Sequence, residues 1–130
     1  MRVGVIAALY GEAASLSRCP RTFLDTYELT VRVAGAGYEN AACAARELLS
    51  EGSELLVSWG LAGGLEPKLV PAQLVVGSAA ISANGDTLNC DTVIEKRLMD
   101  VLSALRPIRG AIYSSPHVSD THLTLPTILL

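Results

Sequence analysis

Aromatic side chains are scarce in this chain, with one Trp, one Phe and four Tyr among 130 residues. A core with so few rings has to be filled by alanine and branched aliphatics, which suits helices packed closely on a sheet. Basic residues form no cluster, and the formal net charge is −3. That balance argues against nucleic acid or an anionic membrane surface as partner. Cys19, Cys43 and Cys90 are an odd number without C-x-x-C or metal-ligand spacing. Reduced thiols and a cytoplasmic protein are the expectation, with no metal and no organic cofactor. No stretch approaches the roughly 18 consecutive apolar residues of a membrane span. The apolar run after Arg2 is at the short limit for a signal peptide, and Glu12 follows it almost at once. Internal repeats and low-complexity linkers are also missing. What remains is a chain long enough for a single domain with a real core.

The chain is organised around residues 55–76, L-L-V-S-W-G-L-A-G-G-L-E-P-K-L-V-P-A-Q-L-V-V. Leu55, Leu56 and Val57 form a short apolar run, the pattern of a strand buried on both faces of a parallel sheet. Gly60, Gly63 and Gly64 predict a turn after it, where the missing Cβ atoms permit positive φ and let a ligand approach the backbone. A tight connection between strands is the competing account. Pro67 and Pro71 mark further turns, and a long strand is expected over residues 73–82.

The remaining elements follow from periodicity. Residues 2–9 predict a central first strand, Tyr10 and Gly11 its exit turn, and residues 12–17 a short helix. Residues 18–21 read as a loop. Residues 26–34 alternate, with Tyr27, Leu29, Val31 and Val33 on one face and Glu28, Thr30 and Arg32 on the other. Gly35 and Gly37 open a helix to Ser50, its buried stripe formed by Ala41, Ala45 and Leu48 and its end marked by Gly52. Gly35-x-Gly37 fails as a dinucleotide fingerprint because Asn40 stands where the third glycine is due. After a turn at Asn84-Gly85-Asp86, Thr92 and Glu95 predict a capping box. The helix beyond it, to about Leu105, would bury Val93, Leu98, Val101, Leu102 and Leu105 before Pro107 ends it. Residues 110–115 predict a last strand. This order implies an α/β fold: a mixed, twisted sheet with helices on both faces.

The block S-W-G-L-A-G-G-L-x-P-x-L-x-P-x-x-L-V-V resembles the middle of the purine nucleoside phosphorylase and nucleosidase superfamily. Within it, the hopanoid-associated phosphorylases and the methylthioadenosine/S-adenosylhomocysteine nucleosidases are the groups it looks like. The resemblance implies a nucleoside phosphorylase-like fold and cleavage of the N-glycosidic bond of a purine, adenosine-type nucleoside by phosphate or water. It covers the N-terminal half only. A methionine–glutamate pair for the ribose and an aspartate for the purine have no match, Met99-Asp100 included, so the chain reads as truncated. A homo-oligomer is expected at full length.

By resemblance, Glu12 is the catalytic base that activates the attacking water. A carboxylate beside the sugar can take a proton and oppose the positive charge of a ribosyl cation-like transition state. An ordinary helix-start carboxylate is the competing account. Gly11 matches the glycine that bends the phosphate loop in the phosphorylases, and Gly60, Leu61, Ala62, Gly63 and Gly64 match the substrate-binding segment. The arginines that grip phosphate lack counterparts: Arg18 and Arg21 are near in sequence but do not match the motif, and Leu61 replaces a serine. Phosphorolysis and hydrolysis therefore both stay open, with phosphate a co-substrate in the first. Trp59 reads as core or interface packing, or as a platform for a purine, and Ser15 and Ser58 stand nearby. His117 and His122 are given no role.

Residues 118–130, V-S-D-T-H-L-T-L-P-T-I-L-L, resemble the translated adaptor tails of fragmentary assemblies. The domain is therefore assigned to residues 1–117, and the tail is expected to be non-native. A non-catalytic nucleoside-binding α/β module, or an inactive fragment, is the alternative to an enzyme.

Overall fold

The structure, a computed structural model, describes residues 1–18, 20–114 and 124–129, the side chains of 23–25 and 124–129 excepted. Cys19, His117 and His122 lie outside the described residues. The chain is α/β and divides into two compact units, Met1–Gly60 and Leu61–Leu130.

In the first unit, strand β1 (Val3–Ala7) is central. It pairs in parallel with β2 (Leu29–Val33) on one side and β3 (Leu55–Gly63) on the other, Val3 standing opposite both Leu29 and Leu55. The first strand is thus central, as expected, with the residue-55 strand beside it. Val3, Val5 and Ala7 on one face are buried, and on the other Gly4 is buried and Ile6 half-buried, so both faces are covered.

Helix α3 (Tyr38–Ser50) packs on β1 through Ala44 and Leu48. The buried stripe differs from expectation: Ala41 is exposed, Ala45 half-buried, and Ala44 takes the inner position one turn before Leu48. Leu48 sets that register. It is fully buried, and a Cβ on Gly4 would stand 3.0 Å from its Cδ1, so glycine in β1 makes room for it. Burying such a leucine is worth about 1.5–3 kcal/mol. Gly35 and Gly37 both have positive φ and make the strand-to-helix turn, and Gly52 at φ +94° ends the helix as expected. Asn40 donates its side-chain amide to the Ala36 carbonyl at 2.8 Å.

Two details of this unit depart from the sequence pattern. Residues 21–26 form a short helix, α2 (Arg21–Thr26), between the loop expected over 18–21 and the strand expected from residue 26. In β2 the alternation is broken: Val31 is exposed, while half-buried Arg32 bonds Glu51 at the end of α3 (Nη2–Oε1 2.6 Å) and lies 3.6 Å from Glu47. A charged pair across the helix–strand seam wins over simple period two.

The second unit is built on β4 (Val75–Ile81). It pairs in parallel with β6 (Ile108–Tyr113) and β7 (Thr124–Leu129) and antiparallel with β5 (Thr87–Asn89), giving a mixed arrangement. Strand β5 and its hairpin turn, with Gly85 at φ +89°, extend the expected turn into a strand pair. Residues 124–129, expected to belong to a non-native tail, form a strand whose pairing with β4 begins at Thr127, just past Pro126, which has no N–H to donate. Val76 is fully buried, with Val75, Ala79 and Cys90 around the same core.

Helix α4 (Thr92–Val101) corrects the predicted capping box. Asp91, not Thr92, is the N-cap, its Oδ1 accepting from the Val93 and Ile94 N–H groups at 3.0 Å. Glu95 turns inward instead of back to the cap and pairs with Arg109 of β6. The inner face is Ile94, Glu95, Leu98 and Met99, so Val93 and Val101, expected inside, are exposed. A 3-10 turn at Ser103–Leu105 and Arg106 in left-handed conformation end the segment before Pro107, and Leu105 is exposed. Among the described residues, no helix is long and apolar enough to cross a membrane.

Candidate active site at the carboxyl ends of β1 and β3

Strands β1 and β3 run parallel in register, Ile6 opposite Ser58, so residues 8–12 and 58–60 emerge at the same end of the first unit. That end is where parallel α/β sheets place their ligands. Helix α1 (Tyr10–Leu16) starts there at once, with Leu9 as its N-cap in extended conformation. Tyr10 and Gly11, expected in an exit turn, are the first residues of this helix.

Glu12 is the third residue of α1 and is half-buried. Its Oε2 accepts the N–H groups of Ala8 and Leu9 at 3.1 and 3.0 Å. These are the bonds of a capping carboxylate, which satisfies donors that a helix start leaves without intrahelical partners. They also fix the carboxylate at the strand end. The backbone of Glu12 is held from the other side: Ser15 donates its hydroxyl to the Glu12 carbonyl at 2.6 Å. Trp59 donates its indole Nε1–H to the same carbonyl at 3.2 Å and to Ser15 Oγ at 2.9 Å.

Gly60 completes the arrangement. A Cβ at this position would stand 2.7 Å from Glu12 Oε1 and 3.0 Å from its Cδ, so only glycine leaves the carboxylate where it is. The glycines at 60, 63 and 64 do not make the expected turn. Instead β3 continues through Gly63, and none of the three glycines has positive φ. Close approach, not turn geometry, is the demand at Gly60.

The other anticipated positions fall out differently. Gly11 is exposed, lacks positive φ and has open space where a Cβ would point, so neither bend nor contact requires glycine there. Leu61, Ala62, Gly63 and Gly64 belong to the second unit, with Leu61 exposed and Ala62 and Gly64 half-buried. The structure therefore brings Glu12 and Gly60 together and adds Trp59 and Ser15, which sequence reasoning did not join to Glu12. A signal was present. A partly buried indole N–H needs an acceptor, and Ser15 lies three residues after Glu12 on one helical face. No cluster of His, Cys, Asp or Glu able to hold a metal occurs among the described residues.

Such a site can hold a carboxylate in fixed orientation beside an exposed strand end, where it can accept a proton or oppose developing positive charge. Parallel strands with a carboxylate at their carboxyl ends define an α/β protein with a candidate site at the sheet end. The model of the phosphorylase superfamily matches residues 2–120. The chain belongs to that family and is a protein of the nucleoside phosphorylase kind. Comparison with curated proteins gives no match.

Proposed function

We propose that this chain carries the glutamate-bearing part of an enzyme that cleaves the N-glycosidic bond of a purine nucleoside of the adenosine type. The observation that carries the reading is Glu12, fixed by two peptide N–H groups at the strand end and faced by Gly60. In hydrolysis, the C1′–N bond breaks and its electron pair leaves with the base. Water oxygen bonds to C1′ while Glu12 takes the water proton, which is then released to the departing base. In phosphorolysis a phosphate oxygen replaces water at C1′, and the carboxylate acts by opposing the positive charge on the sugar.

Arg32 is engaged by Glu47 and Glu51, and Arg109 by Glu95. A planar cation gives phosphate a bidentate partner, and these two are already committed to carboxylates. With no arginine matching those that grip phosphate in the family, water is favoured over phosphate as the acceptor. The reduced cytoplasm, a homo-oligomeric state and the absence of nucleic-acid and membrane partners belong to the same reading, as does a set of residues 118–130 foreign to the domain.

Release of free base from adenosine-type nucleosides, with and without phosphate, tests it. The expected result is release without a phosphate requirement, lowered about 10²-fold or more in Glu12→Gln. Unchanged turnover in that variant leaves Glu12 a helix-start carboxylate. Nucleoside binding by calorimetry without base release would identify a binding module.

A further inference from the structure

We propose that Trp59 and Ser15 are positioning residues for Glu12, a role that rests on the catalytic reading of that glutamate. Helix α1 has seven residues, and none of them is buried. A helix this short is unstable alone, and helices in proteins are normally held by the packing of an apolar face. Here Ala13 and Leu16 are only half-buried, so polar links add to a thin apolar contact in setting where α1 sits relative to β1 and β3.

Two such links converge on Glu12. Its carboxylate is tied to the Ala8 and Leu9 N–H groups, which fixes the tip against the end of β1. Its carbonyl receives the Ser15 hydroxyl and the Trp59 indole N–H, and Trp59 also donates to Ser15 Oγ. Indole, hydroxyl and carbonyl thus form a closed triangle joining β3 to the first turn of α1. The serine hydroxyl donates to the carbonyl and accepts from the indole, so both partners are used in the directions their hydrogens allow. Without the indole N–H, nothing in this triangle ties the Glu12 peptide to β3. The turn could then rotate and take the carboxylate with it. A displacement of about 1 Å at a reacting group can cost on the order of 10²-fold in rate.

The test uses the full chain and three variants: Trp59→Phe, which keeps the ring and removes the donor, Ser15→Ala and Glu12→Gln. In base release, Trp59→Phe and Ser15→Ala should each lower kcat by about 10- to 100-fold with KM nearly unchanged. The double variant should be no slower than the worse single one, because both act through one triangle. In the Glu12→Gln background, both substitutions should be silent. Amide exchange provides a readout independent of turnover: the Ala8 and Leu9 N–H groups should exchange faster in Trp59→Phe at matched thermal stability. Wild-type kcat in Trp59→Phe, with Glu12→Gln still strongly impaired, overturns the positioning role and leaves the glutamate reading intact. If Glu12→Gln itself turns over normally, the catalytic reading falls. Unchanged exchange at Ala8 and Leu9 in Trp59→Phe then overturns the mechanical link as well, and faster exchange upholds it.

Discussion

A methyl group on Gly60 would lie 2.7 Å from Glu12 Oε1, although the two residues are on different elements and far apart in sequence. A carboxylate tip normally swings aside at little cost. This one is held by the Ala8 and Leu9 N–H groups, so moving it means giving up two charge-assisted hydrogen bonds.

Gly60→Ala should therefore lower base release by about 10- to 100-fold, through misplacement of Glu12. The stability loss should be about 1.5–3 kcal/mol, the scale of hydrogen bonds to a charged group. Adding Glu12→Ala to Gly60→Ala removes the overlap and should recover part of the lost stability in thermal unfolding. No recovery would place the strain elsewhere in β3.

Much of the first unit was legible because local signals and tertiary demands agree there. The apolar runs at residues 3–9 and 55–57 predict parallel strands, and β1 and β3 pair that way, although Leu55, Leu56 and Val57 are half-buried and not buried as expected. Gly35, Gly37 and Gly52 stand where positive φ is needed, and each has it. The second unit shows why other features were hidden. Asp91 and Thr92 are both good cap formers and are adjacent, so only geometry decides between them. Glu95 fits a capping box by spacing alone, while its inward turn depends on Arg109, 14 residues away. The family motif pointed to Gly60, but the reason for glycine there is the carboxylate of α1, not a turn. Trp59 was legible as a packing residue, and the direction of its N–H was not.

Glu54 gives stability a pH dependence. It accepts the Arg2 N–H at 2.8 Å, where β3 joins the start of β1. That bond holds its carboxyl below the ordinary value of 4.5, with smaller help from the N-terminal and Arg2 charges and partial opposition from desolvation. A folded-state pKa below the unfolded one contributes stability that is present above the unfolded value and lost as pH falls through the folded value. Glu54→Gln should thus lower the unfolding midpoint at neutral pH and have little effect once the wild-type carboxyl is protonated. The group is fully exposed, so the difference should be small and should shrink with added salt. Equal effects of the substitution at pH 7 and pH 3, measured by urea unfolding, would exclude a charge-based contribution.

Glu95 and Arg109 form an unequal pair: the glutamate side chain is 5% exposed and the arginine side chain 60%. Most of the desolvation is therefore borne by Glu95, and Arg109 is what compensates it from the neighbouring strand. Removing one partner of a fully buried pair costs about 3–5 kcal/mol because a charge is left buried alone. Since the guanidinium is largely in water, Arg109→Met should cost less, about 1–3 kcal/mol in urea unfolding, the scale of one buried group left unsatisfied. Glu95→Met with Arg109→Met removes both charges and keeps side chains of similar length on the α4–β6 seam. This double variant should be more stable than Arg109→Met alone, by the same reasoning that makes apolar replacement of whole buried pairs neutral or better. A loss below about 0.3 kcal/mol in Arg109→Met would make the contact an ordinary surface ion pair. A double variant less stable than the single one would show that Glu95 has other partners to lose.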